Sequence, residues 1–330
     1  MRPVALVTGE ESPYRREPFR LLAEAEGVEV IAWQEAGQAQ AARLVASGRY
    51  RAVVAGLGGR VALPGTYLAA RARGIPFVLW ASIWSHPRTP AHALSLLPTR
   101  LLYRRADAVV TYGPHVTRYV QRFRKRGKVF EAPQAVSATH FGRSVEESER
   151  ARWRSPGVDF MALFVGRFVE EKGVNVLLEA WRAANLDGAT LAFAGEGPLR
   201  PEGSVGLVGG NELPALYAAA DVLVLPSIRT ATFTEPWGLV VNEAMHQGTP
   251  VITTDAVGAA AGGLVRDGRN GLVVPERDAR ALAAALRRLA GDPALRERLG
   301  SAAKQDVSAY SEAAWVAGMR RALAAVGAAR

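Results

Sequence analysis

Apolar residues along this chain gather into short unbroken runs separated by longer stretches in which they recur every three or four positions. In the first half the runs are "PVALVTG", "VEVIAW", "RAVVAG", "PFVLWAS" and "DAVVTYG". In the second half they are "FMALFVG", "TLAFAGEG", "DVLVLPS", "TPVITTD" and "NGLVVPE". Segments such as "REPFRLLAEAEG", "GVNVLLEAWRAAN" and "DARALAAALRRLAG" lie between them, with helical spacing and a glycine or asparagine stop. A run with no polar alternation is a strand buried on both faces. Such strands alternating with helices predict parallel sheets covered on each side, an α/β class. The polar stretch "SATHFGRSVEESERARWRSPGVD" breaks this rhythm and predicts two α/β domains, residues 1–145 and 151–310. The segment "YSEAAWVAGMRRALAAVG" reads as a helix crossing back to the first domain, with Ser311 as its cap and Trp315, Val316 and Met319 as packing residues.

A chain of 330 residues that is 49% apolar is long enough for two such domains. It has no cysteine, which excludes disulfides, thiolate metal sites and a cysteine nucleophile. The opening "MRPVALVTGEES" has no signal-like apolar region, and no apolar stretch approaches the ~18 residues of a membrane span, so a cytoplasmic protein is expected. Charge is uneven. Residues 1–150 carry 22 Lys and Arg against 12 Asp and Glu, whereas residues 151–330 carry 19 of each. Residues 51–128 hold 14 basic side chains and one acid, Asp107. The excess points either to an arginine-rich background composition or to an anionic partner of the first domain.

Two stretches of the second half carry candidate chemistry. In "FTEPWGLVVNEAMHQGTPVITTD", Glu235 and Glu243 stand eight positions apart with Pro236 and Gly238 between them. This predicts a loop carrying Glu235, a helix starting near Leu239, and Glu243 one turn inside it. In "FVGRFVEEKG", a strand ends at Gly166. Arg167 follows at once, and Lys172 and Gly173 open the next helix. A guanidinium and an ammonium at the carboxyl end of a strand can grip a diphosphate, or they are ordinary surface charges at a helix start. With 37 arginines and four lysines in the chain, a lysine at 172 suggests that a compact point charge is wanted there. Neither G-x-x-x-x-G-K-[ST] nor a G-x-G-x-x-G after a strand is present, and "AGEGPLR" offers only a tight turn.

Taken in order, "GRFVEEKG", "AGEGPL", "LPALYAAADVLVLPS", "TEPWGLVVNEAM", "GTPVI" and "RDGRNGLVVPERDARALAAAL" resemble the carboxyl-terminal domain of glycosyltransferase family 4 over about residues 159 to 310. The resemblance implies the GT-B fold, two Rossmann-like α/β domains with parallel sheets facing across an interdomain cleft. It also implies retaining transfer from a nucleotide-diphosphate sugar bound by the second domain. Arg167 and Lys172 would neutralise the diphosphate, Glu235 would bond hydroxyls of the sugar, and Glu243 would hold the ribose. Gly166 and the segment Pro236, Trp237, Gly238, Leu239 and Val240 would complete the donor site, with the backbone around Gly238 meeting the phosphates. A helix start offers unpaired N–H groups to phosphate, and a carboxylate can accept both hydroxyls of a vicinal diol.

The first half resembles the family only loosely. Its first loop, "TGEESPYRREPFRLL", has a lone Gly9, and Arg15 and Arg16 either face the cleft or form a solvated helix start. The family places a histidine after the fourth strand. Here Ser82 stands near that position and His86, the candidate, follows four residues later, while His92, His115, His140 and His246 are assigned to packing, capping or surface. No D-x-D triplet or metal-spaced cluster is present, so no cofactor and no metal are expected.

Paired carboxylates also fit a glycoside hydrolase, and the two-domain plan fits a hydrolysing nucleotide-sugar epimerase. The run "RFRKRGK" raises nucleic-acid binding, but it has no aromatic platforms and none is expected. Finally, in "HALSLLPTRLLYRRADAVV" the residues Leu94, Leu97, Leu101 and Leu102 form an apolar stripe beside Arg100, Arg104 and Arg105. It is either a buried core stripe interrupted at Pro98 or part of a contact, within residues 94–128, with an anionic membrane at the inner face. A glycan or lipid-linked acceptor is the corollary.

Overall fold

The computed structural model describes all 330 residues, Ala91 by its backbone only. The chain forms two compact units, Met1–Ala135 with Ser311–Arg330, and Val136–Tyr310. The polar stretch that marked the division belongs to the second unit. It folds there as two short helices, Ala138–Phe141 and Glu147–Ala151.

The first unit holds a parallel six-stranded sheet of β1 (Val4–Thr8), β2 (Val28–Ala32), β3 (Ala52–Gly56), β4 (Phe77–Ala81), β5 (Ala108–Thr111) and β6 (Lys128–Glu131), in the order β2-β1-β3-β4-β5-β6. Successive residues of a strand point to opposite faces, and both faces are covered. Ala5, Val7, Val53 and Leu79 join one apolar cluster, while Val4, Leu6, Val54 and Val78 join another. That is why these strands read as unbroken apolar runs.

Helix Glu312–Ala325 completes the second of these clusters. Ser311 caps it, its hydroxyl accepting from the Ala314 amide at 3.2 Å. Trp315 and Met319 are buried, and the Trp315 ring lies 5.8 Å from Phe19 and 5.6 Å from Trp80. Gly318 lets the helix approach the sheet, since a Cβ there would lie 2.3 Å from the Glu131 carbonyl oxygen.

Helix Pro90–Arg105 runs through Pro98 without a break, contrary to the expected interruption. Both its ends are secured. The Thr89 hydroxyl accepts from the His92 amide, and the Arg124 guanidinium donates to the carbonyls of Tyr103 at 3.0 Å and Ala106 at 2.8 Å. Of the two readings of the leucine stripe, the buried one fails for three of its four residues. Leu102 is buried, but Leu94, Leu97 and Leu101 are 83%, 72% and 49% exposed.

The second unit repeats the plan with β7 (Phe160–Val165), β8 (Ala189–Ala194), β9 (Ser204–Gly206), β10 (Val222–Leu225), β11 (Val251–Thr254) and β12 (Gly271–Val274), in the order β12-β11-β10-β7-β8-β9. Phe160, Phe164, Phe193 and Val224 pack with Leu177, Leu282 and Leu286 from the covering helices. Strand order reverses between β7 and β10. Open parallel sheets leave a crevice beyond the carboxyl ends of strands at such a point.

Candidate functional site

The segments that follow β7 and β10 meet at this switch point. After β7 come Gly166 and Arg167, a short 3₁₀ turn Glu170–Lys172, and then helix Val174–Ala184. Gly173 joins the last two in a left-handed conformation with φ of 72°, and a Cβ there would lie 2.0 Å from the Pro226 carbonyl oxygen. Only glycine allows the turn to seat against the end of β10. That seating places Lys172.

The Lys172 ammonium donates to Oε2 of Glu235, and the two side chains are 15% and 7% exposed. The Ser227 hydroxyl, two residues beyond β10, donates to the same oxygen at 3.0 Å. The ammonium also lies 5.5 Å above the Phe233 ring. Lysine, serine and carboxylate thus form one buried polar cluster whose charges cancel. Glu235 sits in the loop before helix Leu239–His246, whose N-terminal cap is Gly238 in a left-handed conformation. A cap without a side chain gives the first-turn amides no side-chain acceptor, and of these the Val241 amide donates to the Gly238 carbonyl at 3.0 Å. A Cβ built on Gly238 would lie 3.8 Å from Cγ of Glu235, so the helix start adjoins the cluster.

Glu243 lies on the same helix with a different partner. The Tyr217 hydroxyl donates to its Oε2 at 2.5 Å. Burial pushes the Glu243 carboxyl up to about 7, an effect the tyrosine hydrogen bond opposes, and burial also raises the Tyr217 phenol.

The other candidates fall elsewhere. Arg167 is 63% exposed on its side chain and reaches Glu171 at 3.5 Å. The Trp237 side chain is not available to a ligand. It is 2% exposed, its Nε1 donates to Oδ1 of Asn242 at 2.7 Å, and its ring lies 5.5 Å from Tyr310, so only its backbone can serve a site. Pro236, Leu239 and Val240 are half-buried. His86 belongs to the first unit, where its Nε2 lies 2.9 Å from the His92 carbonyl oxygen, and Ser82 hydrogen-bonds the Tyr112 hydroxyl.

Sequence reasoning missed Ser227, Phe233 and Tyr217. Ser227 and Tyr217 lie within motifs already noted, "LPALYAAADVLVLPS", and Ser227 was legible as a hydroxyl directly beyond a strand's carboxyl end. Arg15, in the first turn of helix Pro13–Glu26, is held by three neighbours. It stacks 4.2 Å over Trp80 and donates to the Tyr112 hydroxyl at 2.7 Å and to Oε1 of Gln134 at 2.9 Å. It is therefore anchored beyond the carboxyl ends of β4, β5 and β6, not solvated. Arg16 is exposed. Among the described residues, no group of three His, Asp or Glu side chains is placed to hold a metal ion, and no helix is long and apolar enough to cross a membrane.

Residues 145–306 match the family described as "Glycosyl transferases group 1". The chain is 34% identical over 215 residues to the lipopolysaccharide core biosynthesis glycosyltransferase LpsE of Rhizobium meliloti, a match covering 61% of this chain and 59% of that protein. In structure it is similar to sucrose-phosphate synthase from Thermosynechococcus elongatus, with a TM-score of 0.78, 21% identity, and coverage of 97% and 98% of the two chains. It is also similar to Anabaena Alr3699/HepE, solved in complex with UDP and glucose, with a TM-score of 0.75, 19% identity, and coverage of 98% and 100%. The fold is therefore the two-domain α/β GT-B fold.

Proposed function

We propose that this chain, whose residues 145–306 match the group 1 glycosyl transferases, transfers a hexose-type sugar from a nucleotide-diphosphate donor to a glycan or lipid-linked acceptor, with retention of anomeric configuration. The observation that carries this reading is the buried Lys172–Glu235–Ser227 cluster beside the start of helix Leu239–His246. An ammonium beside a helix start suits an anionic diphosphate, and a carboxylate next to it suits sugar hydroxyls.

In this reading the first-turn amides of helix Leu239–His246 and the Lys172 ammonium hold the diphosphate. Arg167, exposed and loosely paired, swings onto it when the donor binds. Glu235 orients the sugar through its hydroxyls, and Glu243 releases Tyr217 to accept the ribose diol. The acceptor oxygen bonds to the anomeric carbon as the carbon–oxygen bond to the diphosphate breaks. The acceptor proton passes to the departing phosphate oxygen. Fixed donors at that oxygen are each worth roughly 3 kcal/mol of barrier. His86 of the first unit is the acceptor-side candidate, and no metal ion is required. The UDP and glucose bound by HepE support a nucleotide-hexose donor. The name of LpsE, a lipopolysaccharide core biosynthesis glycosyltransferase, supports an acceptor on a lipid. In this reading the exposed leucines and the basic residues within 94–128 meet the inner face of a membrane.

A thermal-shift titration with UDP, GDP, ADP and their hexose conjugates tests the reading. A ligand at a hundred times its Kd stabilises the folded state by about 2.7 kcal/mol. One nucleotide family should raise the melting temperature of the wild type and fail to do so in Glu243→Gln. If no nucleotide shifts the melting temperature, the reading is wrong.

A further inference from the structure

A cavity of about 520 Å³ opens in the first unit between the loop after β4, helix Pro90–Arg105 and the end of helix Pro114–Gln121. Arg88, Arg100 and Arg122 line it together with Thr89, Tyr119 and Phe123, and no carboxylate does. The Arg100 guanidinium lies 4.9 Å over the Phe123 ring, and that of Arg122 lies 6.0 Å from the Tyr119 ring centroid. These cations are steadied by aromatic faces, not by acids. Asp107, the one acid within residues 51–128, is bound by Arg71 and by the Phe77 amide at 2.7 Å. Nε of Arg100 is buried with no hydrogen-bond partner among the described residues. A desolvated guanidinium N–H, in a pocket with two further guanidiniums and a hydroxyl, has the chemistry to bind an oxyanion.

The same helix carries the exposed leucines. Ala93, Leu96 and Arg100 face the cavity at helical spacing, and Leu94, Leu97 and Leu101 stand one position further on, about 100° around the helix. An apolar ridge therefore borders the cationic pocket. No soluble anion calls for that pairing, whereas a phospholipid presents a phosphate at the level where its acyl chains begin.

We propose that this pocket takes the phosphate headgroup of an anionic membrane lipid while Leu94, Leu97 and Leu101 enter the interface beside it. This inference rests on the proposed membrane contact through residues 94–128 and names the lipid group that it meets, and His86, the acceptor-side candidate, lines the same pocket.

Sedimentation of the full chain, without sugar donor, with vesicles of 70:30 phosphatidylcholine:phosphatidylglycerol and of phosphatidylcholine alone tests this. The wild type should bind the anionic vesicles at least tenfold more tightly, less so as salt rises. Arg100→Gln with Arg122→Gln should weaken that binding at least tenfold. Leu94→Ser with Leu97→Ser should do the same with an unchanged melting temperature, since both side chains are exposed. Lys125→Ser with Arg126→Ser removes the same charge from exposed positions outside the pocket and should cost at most about threefold. Equal losses in the two charge-removal pairs, or no vesicle binding at low salt, would overturn the proposal. So would full displacement by millimolar glycerol 3-phosphate with the leucine variant unaffected, which would make the pocket a site for soluble phosphate. Because no donor is present, failure here removes the membrane contact and leaves the donor-side reading intact, and an inactive enzyme leaves this result intact.

Discussion

The Lys172 ammonium and the Glu235 carboxylate, 63 residues apart in sequence, are joined as a buried ion pair at the carboxyl ends of β7 and β10. Neither is in place without the other. Removing the lysine strands a buried carboxylate, which costs roughly 3 kcal/mol or more. Lys172→Ala should therefore lower both stability and kcat/KM, the latter by about a hundredfold to a thousandfold. Arg167→Ala, at an exposed position, should lose activity on a similar scale with no change in melting temperature. Denaturation curves measured beside kinetics separate the two. Near wild-type turnover in both variants would remove the diphosphate assignment.

Glu243 should make nucleotide binding dependent on pH. Its carboxyl is raised to about 7, so as pH falls through 7 it is protonated and can no longer accept both hydroxyls of a diol. Binding of a nucleoside, which has no titrating phosphate, should weaken below pH 7 by up to tenfold per unit. The same shift acts on the free protein. A folded-state value above the unfolded one favours the protonated folded form, so stability is fully present below about 4.5 and declines as pH rises to 7. Both slopes should vanish in Glu243→Gln, read by calorimetric titration and by melting temperature. A pH-independent wild type would show that Glu243 does not meet the ribose.

Arg124 belongs to the architecture of helix Pro90–Arg105, although in the sequence it looks like one charge in a basic run. It is 8% exposed and donates to the helix's last carbonyls, and burial lowers the pKa of its guanidinium. Arg124→Met leaves those carbonyls without donors and should destabilise the chain by roughly 2 kcal/mol in urea unfolding. Lys125→Ser and Arg126→Ser should change stability by less than about 0.5 kcal/mol.

Trp315 should be as important to the first unit as any residue of its own sheet. Its ring packs against both Phe19 and Trp80, which also touch each other, and Trp315→Ala should cost about 3 to 5 kcal/mol. Deleting residues 311–330 should abolish transfer through collapse of that unit. A truncated protein with full activity would contradict this packing.

Ten of the twelve strands are legible as unbroken apolar runs because parallel strands covered on both faces have no polar side to disguise them. The two that are not, β6 and β9, are edge strands with few apolar residues, β6 reading Lys-Val-Phe-Glu and β9 being exposed throughout. The other two edge strands, β2 and β12, are legible because each keeps at least three apolar residues. The loop position of Glu235 and the helix start at Leu239 follow from Pro236 and Gly238, which are local signals. The Lys172–Glu235 contact, the burial of Trp237 and the capping role of Arg124 are tertiary facts, fixed by neighbours far away in sequence. Pro98 shows the same limit from the other side. A proline's cost of about 3 kcal/mol in a helix interior is outweighed by capping and packing that a local reading does not contain.

The return of helix Glu312–Ala325 to the first sheet has a consequence for synthesis on the ribosome. Residues 1–135 emerge first, yet one face of their sheet, that of Trp80, is covered only by helix Pro13–Glu26 until residue 325 has been made. The segment 136–310 is contiguous, completes its own core, and folds while the earlier-made unit still waits. Vectorial order is thereby inverted, and the nascent first unit spends the translation of about 175 residues with part of an aromatic face open to chaperones and to other chains.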